Sequence, residues 1–253
     1  MVALYNCANS CCEGGQPLPQ ETIRITQLGK SLPSPILVKA SHDGASLRAE
    51  NGIEHDWNYL DLHSERKRYT NGRVIFVVRD PRDTIVSLYH QLSSRTTRPV
   101  GLTLSEFIRS PEYGWDRMMR FYAIWDANLR TPRSMLLMSY EGLLRSPATG
   151  IEHVANFLGV KLSQEQVSKI ADVSSAETMR QGERQGKIAQ MRVLGSGLNA
   201  LKVRKAKSGT YKEEMSEEDQ LWCEKKMSDF PVVFSDLVKE KGADFIQLEN
   251  SIA

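Results

Sequence analysis

The chain has 253 residues, of which 40% are hydrophobic and 25% are charged, a composition that suits a globular protein with one sizeable core. Lysine and arginine total 33 against 31 for aspartate and glutamate, so the formal net charge is +2. This balance excludes a polybasic or polyacidic protein, and an anionic ligand must be bound by a local cluster of cations.

Residues 1–35 are predicted to be an irregular segment, because prolines recur between positions 17 and 35. Residues 36–253 are predicted to form one α/β domain that begins with a short strand at 36–39. No apolar run reaches the ~20 residues needed to cross a bilayer. The first 18 residues also lack the basic start and apolar middle of a secretory signal. A cytoplasmic location is therefore predicted for the chain as given.

The strongest local pattern is RVIFVV at 73–78, a continuous β-branched and aromatic run that predicts a strand covered on both faces, as in a parallel sheet. Asp80 is predicted to cap a helix and Pro81 to occupy its first position. Apolar residues at helical spacing over 84–92 continue that helix. Strand, tight turn and helix form half of a βαβ unit.

The alternation of strands and helices continues to the end of the chain. The predicted elements are a helix at 115–129, a strand at 134–140, a helix from Pro147 to Gly159, a helix opened by the capping box Ser163-x-x-Gln166, and a helix after Ser216. Alternating elements predict an α/β fold with a parallel sheet.

Arg79 and Ser87 are candidate anion ligands at the end of the 73–78 strand. Ligands of open α/β sheets collect beyond the carboxyl ends of strands, where helix N-termini present free N–H groups. Ser87 follows Asp80 by seven residues, about two turns, so it shares the face of that cap. An arginine fork and a hydroxyl there can bind a phosphate. The alternative is that Arg79 and its charged neighbours only cap the helix and pair with each other.

Three further segments carry candidate ligands or bases. Residues 202–212 hold five Lys or Arg and read as a basic loop, either phosphate-binding or simply solvated. Tyr140 ends the second strand, where it can contact a ligand ring or close the core. His42 follows the first strand beside Asp43 and is a candidate general base, because an imidazole pKa near ~6.5 suits proton removal at neutral pH.

Taken in order, these segments resemble the sulfotransferase domain that uses 3′-phosphoadenosine 5′-phosphosulfate. The matching stretches are VIFVVRDPRDTIVSLYH (74–90), LLMSYEGLLRSPATGIEHVANFLGV (136–160) and VRKAKSGTYKEEMSEED (203–219). They span roughly the C-terminal two-thirds of the chain. The resemblance implies a parallel-sheet three-layer sandwich of the P-loop nucleotide-binding type.

The resemblance also implies roles for individual residues. Arg79 and Ser87 match the pair that binds the 3′-phosphate of the nucleotide, and Tyr140 matches the tyrosine that contacts its adenine. His42 roughly matches the base of the KTH-type segment, although it stands three residues after Lys39 rather than two.

The basic loop matches the family's RKG-type segment, which closes on the 3′-phosphate. Arg204 and Lys205 stand at the arginine and lysine of that segment, and Ala206 replaces its glycine. An alanine can present its N–H in the same way if its φ is negative. Ala176 stands where the family often has a phenylalanine that packs on the adenine.

One family segment is not found in this sequence, namely the PxSGTTW-like loop that binds the 5′-phosphosulfate. The chain is therefore expected to be a sulfotransferase that is truncated at its N-terminus, or a nucleotide-binding remnant with impaired catalysis. A P-loop kinase is disfavoured, because GxxxxGK[ST] does not occur.

The implied donor is 3′-phosphoadenosine 5′-phosphosulfate, the implied product is adenosine 3′,5′-bisphosphate, and no metal is implied. The acceptor is expected to be a hydroxyl or amine of a small molecule or glycan, selected by the segments 41–71 and 93–115. Nucleic acid is not an expected partner, since the sequence contains no recognised nucleic-acid-binding module and its net charge is only +2. Anchored members of the family carry the anchor at the N-terminus, which makes the Golgi the second expected location.

Overall fold

The computed structural model describes residues 66–94, 100–186, 201, 203–228 and 244–249. In chain order its elements are a 3₁₀ helix (Lys67–Tyr69), β1 (Arg73–Val78), α1 (Pro81–Ser94), α2 (Leu104–Arg109), α3 (Trp115–Ala127), β2 (Ser134–Ser139), α4 (Tyr140–Arg145), α5 (Pro147–Leu158), α6 (Gln164–Val173), α7 (Ala176–Arg184), α8 (Tyr211–Glu214), α9 (Glu217–Met227) and β3 (Phe245–Glu249). Runs of helices separate the described strands, and the sheet contains a parallel pair, so the predicted α/β class is confirmed. The predicted segment 1–35 and strand 36–39 lie outside the described residues.

The described strands form one sheet in the order β1-β2-β3. β1 and β2 are parallel, with Val78 opposite Ser139 at their carboxyl ends. A parallel pair needs a long crossover, which α1, α2 and α3 supply here. β3 pairs antiparallel to β2 and was not predicted, although apolar Ile246 and Leu248 alternate with polar neighbours in its sequence.

The two predicted strands differ in how deeply they are buried. Every residue of β2 is buried, as a continuous apolar strand requires. β1 is less covered than predicted, because Val77 is 48% exposed. On its other face, Phe76 packs against Trp125 and Phe121 of α3, at ring-centre distances of 5.2 and 6.0 Å. These aromatic contacts hold the crossover helix against the sheet.

The chain divides into two compact units. The first, called the sheet unit, comprises Ser41–His90, Val100–Glu141 and Lys207–Ala253, and it contains all three described strands.

The second, called the helical unit, comprises Met1–Ala40, Gln91–Pro99 and Gly142–Ala206. Within it, α5 contacts α6. Gly159 ends α5 with a φ of 75°, a left-handed conformation that suits glycine, as predicted. The predicted capping box at Ser163 and Gln166 is also present.

Candidate functional site

β1 and β2 end at the same level of the sheet, and the residues that follow them meet. Arg79 comes directly after Val78, and Tyr140 directly after the paired Ser139. The Arg79 guanidinium carbon lies 4.6 Å from the centre of the Tyr140 ring, within the range of a cation–π contact. The structure thus brings two of the predicted site residues into contact. Tyr140 is the first residue of α4 rather than the last residue of a strand.

Arg79 has one buried donor without an acceptor among the described residues. Its Nη2 donates a hydrogen bond to the carbonyl oxygen of Lys207 at 3.3 Å and lies 3.7 Å from Oδ2 of Asp83. Its Nε is buried and has no hydrogen-bond partner among the described residues. A buried N–H without an acceptor costs free energy, so an anion oxygen placed there would stabilise it.

The neighbouring Asp80 and Arg82 are occupied by contacts within the protein. Asp80 caps α1 as predicted, accepting a hydrogen bond from the backbone N–H of Arg82 at 2.8 Å. The Arg82 side chain also donates to Asp80 and, at 3.1 Å, to Glu224, and it lies 4.1 Å from the ring centre of Tyr211. The alternative of capping and mutual pairing is therefore correct for Arg82 and Asp80. Arg79 differs from them, because its Nε has no hydrogen-bond partner within the described ranges.

Ser87 lies on α1 in the sheet unit, one turn beyond Asp83 and two turns beyond Asp80. Its side chain is exposed. A ligand that approaches this face of the helix can therefore reach the hydroxyl.

Two buried residues that the sequence reasoning missed hold the turn between β1 and α1. The hydroxyl of Tyr122 donates to the carbonyl oxygen of Arg79 at 3.2 Å, and Oε1 of Glu141 accepts from the backbone N–H of Asp80 at 3.1 Å. Burial raises the pKa of both Tyr122 and Glu141. Glu141 directly follows Tyr140, so its place after a strand was the signal that could have found it.

The predicted basic loop begins in the helical unit, where α7 holds its backbone. The Arg180 side chain donates from Nε to the carbonyl oxygens of Val203 and Arg204, at 3.1 and 3.3 Å, and from Nη2 to that of Lys205 at 2.9 Å. One turn further along α7, the buried Glu183 accepts from the backbone N–H of Val203 at 3.2 Å. Neither Arg180 nor Glu183 was predicted, although both stand among the charged residues of 177–184.

The backbone of Ala206 does not meet the condition stated for it. An alanine was expected to present its N–H like the family's glycine if its φ is negative, but its φ is +50°, in the left-handed region that favours glycine. The chain turns here directly after the three carbonyls held by Arg180. A left-handed conformation is thus imposed on an alanine, which costs roughly 1–2 kcal/mol in that region.

The Ala206→Gly variant is therefore expected to be more stable than the wild type by about 0.5–1 kcal/mol, because relief of strain exceeds the added entropy of the unfolded chain. The free energy of unfolding in urea measures this change. Gly209 has a φ of +76°, and a Cβ added there would meet no atom within 4 Å, so Gly209→Ala should shift stability in the opposite direction by about 1 kcal/mol. A destabilised Ala206→Gly protein would contradict the expectation.

The predicted catalytic base, His42, lies outside the described residues.

Among the residues that are described, no group of three or more His, Cys, Asp or Glu side chains could hold a metal ion. Within the same part of the chain, no helix has the length and apolar character needed to cross a membrane. Burial raises the pKa of the Cys223 thiol to about 12, so this cysteine is not a nucleophile at neutral pH.

Comparison with known proteins identifies relatives of similar sequence. A guinea pig (Cavia porcellus) 3-alpha-hydroxysteroid sulfotransferase is 28% identical over 134 residues, which cover 50% of this chain and 45% of the relative. Flavonol 3-sulfotransferase of Flaveria bidentis is 26% identical over 186 residues, covering 66% and 56%. Cytosolic sulfotransferase 14 of Arabidopsis thaliana is 27% identical over 125 residues, covering 44% and 35%. The chain therefore spans about a third to just over half of the length of these relatives.

A solved structure is similar in fold. Retinol dehydratase, crystallised in complex with androsterone and the inactive cofactor PAP, matches with a TM-score of 0.51 and 24% sequence identity. The match covers 62% of this chain and 47% of that protein. This likeness, together with the mixed sheet and its crossover helices, confirms the predicted P-loop-type α/β fold.

The family model described as "Sulfotransferase domain" matches residues 60–231, which is more than half of the chain. The match includes Arg79, Ser87, Tyr140 and the basic loop. This chain belongs to the sulfotransferase family.

Proposed function

We propose that the chain binds 3′-phosphoadenosine 5′-phosphosulfate and serves sulfuryl transfer to a hydroxyl group of a small molecule. The observation that carries the proposal is Arg79, a guanidinium at the carboxyl end of β1 that lies over the Tyr140 ring. Its buried Nε has no hydrogen-bond partner in the part of the chain that the structure describes. The exposed Ser87 lies on the helix that follows. These groups suit a phosphate, which accepts several charge-assisted hydrogen bonds.

The charge around Arg79 is compatible with an anionic ligand. Arg79 pairs with the Asp83 carboxylate, but the 3.7 Å separation from Nη2 exceeds a hydrogen bond, and three other donors already bind that carboxylate. In the helical unit, Arg204 and Lys205 are the cations of the segment that resembles the RKG-type loop. On the resemblance to that loop, we propose that these two residues also bind the 3′-phosphate.

The roles follow from what each group can do. Bound donor would supply the sulfuryl group, with adenosine 3′,5′-bisphosphate as the leaving product. Arg79 and Ser87 would orient the nucleotide through its 3′-phosphate, and Tyr140 would contact the adenine. Such positioning is a main part of catalysis in transfers of this kind. His42 is proposed to take the proton of the acceptor hydroxyl.

The acceptor class is proposed from the relatives. Two of them are named for hydroxysteroids and flavonols, both ring compounds with hydroxyl groups, so a small-molecule acceptor is favoured over a glycan. A cytoplasmic location is proposed on the same basis, because the Arabidopsis relative is named a cytosolic sulfotransferase.

A second candidate function is nucleotide binding without transfer. Its support is that Arg79, Ser87 and Tyr140, the described residues of the candidate site, are matched to nucleotide binding and not to the transfer step.

Calorimetric titration with adenosine 3′,5′-bisphosphate and with adenosine 5′-monophosphate tests the shared part of both candidates. We expect the bisphosphate to bind more tightly, because only it carries the 3′-phosphate. Absence of bisphosphate binding at high micromolar concentration would contradict both candidates. Transfer of labelled sulfate to a panel of phenols and hydroxysteroids would then separate them, since only the first candidate predicts turnover.

A further inference from the structure

Asp83 is a fully buried carboxylate on the first turn of α1 that binds a distant part of the chain. Its Oδ2 accepts a hydrogen bond from the backbone N–H of Gly209 at 2.7 Å. Its Oδ1 accepts from the Thr210 hydroxyl and from the backbone N–H of Tyr211, both at 3.0 Å. One side chain thus satisfies three donors in consecutive residues.

The same segment is also held by Arg79, which precedes Asp83 by one helical turn. Arg79 donates to the carbonyl oxygen of Lys207, and its Nη2 lies 3.7 Å from the Asp83 carboxylate. Residues 207–211 are therefore hydrogen-bonded to both the Arg79 guanidinium and the Asp83 carboxylate, and these two groups also form an ion pair. Any movement of this segment must disturb the guanidinium of Arg79.

We propose that Asp83 is a positioning residue that fixes the segment 207–211 and the Arg79 guanidinium as one arrangement, on which recognition of the 3′-phosphate depends. This proposal rests on the proposed function for its nucleotide part. Its structural part, the tethering of the segment, stands on the contacts of Asp83 alone.

An Asp83→Asn substitution is a sharp probe of this arrangement. Asparagine keeps the volume of aspartate, but one oxygen becomes an NH₂ group, which can donate and cannot accept. All three partners of Asp83 donate hydrogen bonds to it. In the asparagine variant the new NH₂ group therefore faces at least one other donor, and that hydrogen bond is lost. The anion facing Arg79 is lost as well. Thr210→Val is a milder variant, because it removes only the hydroxyl contact.

Asp219 and its partner Arg109 are matched controls for Asp83 and Arg79. Asp219 is also buried in the sheet unit, accepts hydrogen bonds from two serine hydroxyls at 2.9 Å, and pairs with Arg109. Arg109 lies over an aromatic ring, that of Trp222, at 5.2 Å. Asp219→Asn therefore removes a buried, arginine-paired carboxylate that does not contact 207–211.

Limited trypsin digestion of the ligand-free protein tests the tether without any nucleotide. Lys207 is the first residue of the segment 207–211 and Lys212 follows its last residue. Trypsin cleaves after both lysines. We expect Asp83→Asn to raise the rate of cleavage there by about tenfold and Thr210→Val by about threefold, as the loss of charged and neutral hydrogen bonds implies. Asp219→Asn should leave that rate unchanged. Equal cleavage of Asp83→Asn and wild type would overturn the tether.

Calorimetry tests the nucleotide part. We expect Asp83→Asn to bind adenosine 3′,5′-bisphosphate about tenfold more weakly, and adenosine 5′-monophosphate within about twofold of wild type, because only the first ligand presents a 3′-phosphate to Arg79. A general loss of folding would weaken both ligands. Unchanged bisphosphate affinity in Asp83→Asn would overturn this part. Absence of binding by the wild type would contradict the proposed function, while faster cleavage of Asp83→Asn would still support the tether.

Discussion

Replacing Arg79 with alanine is expected to weaken the binding of adenosine 3′,5′-bisphosphate by about thirtyfold or more. Truncating one partner of a desolvated charge pair typically costs about 2–5 kcal/mol, and about 1.4 kcal/mol corresponds to a factor of ten. Affinity for adenosine 5′-monophosphate should change far less, so the preference for the bisphosphate disappears. Calorimetry with both nucleotides measures the two affinities on the same protein.

Arg109→Ala is the control for this variant. Arg109, like Arg79, pairs with a buried aspartate and lies over an aromatic ring, so its loss removes the same kinds of contact elsewhere in the sheet unit. We expect it to leave both nucleotide affinities unchanged. Arg79→Lys should recover only part of the loss, because a lysine restores the charge but not the planar fork of donors. An Arg79→Ala protein that keeps its preference for the bisphosphate would contradict the proposed function.

Replacing Gly114 with alanine is expected to destabilise the fold by about 3 kcal/mol or more, at the upper end of what overpacking a core costs. A Cβ at this position would clash with the carbonyl oxygen of Ser110 and would lie 2.5 Å from that of Ile108 and 2.7 Å from that of Phe107. All three are backbone atoms of the α2 end, so no side-chain rotation can relieve the contacts. The fully buried Trp115 follows directly and limits any shift of the chain.

The urea midpoint and the free energy of unfolding measure this effect. Gly101→Ala is the matched control, since a Cβ at Gly101 would have no atom within 4 Å. It should change stability by no more than about 0.5 kcal/mol, as is usual for surface substitutions. Equal stability of the two alanine variants would contradict the prediction, because it would mean that the backbone at the end of α2 can shift to accommodate the added Cβ.

The elements that the sequence predicted well depend on neighbours within a few residues. The cap by Asp80, the box formed by Ser163 and Gln166, and the left-handed Gly159 each involve a side chain or backbone group no more than four residues away. The missed α2 has the same kind of signal, because Thr103 and Glu106 form a capping box. Such signals are readable without knowledge of the tertiary structure.

The partners of the site residues could not be predicted in this way. Arg79 and Lys207, and likewise Asp83 and Tyr211, are 128 residues apart in sequence, so nothing local indicates their contact. The φ of Ala206 was unpredictable for a related reason. The carbonyl oxygens on either side of Ala206, those of Lys205 and Lys207, accept hydrogen bonds from arginines far away in the sequence. An alanine by itself favours a negative φ, so the residue type did not indicate the positive value.

The contact between Arg79 and Tyr140 limits where residues can be inserted into or deleted from this chain. Both residues leave the sheet together because Val78 and Ser139 are in register, and strand side chains alternate between opposite faces. Deleting one residue from β2 would shift this pairing and turn the following aromatic side chain away from the guanidinium. Insertions and deletions are thus tolerable in the connecting loops but not inside either strand, even where every remaining residue type is kept.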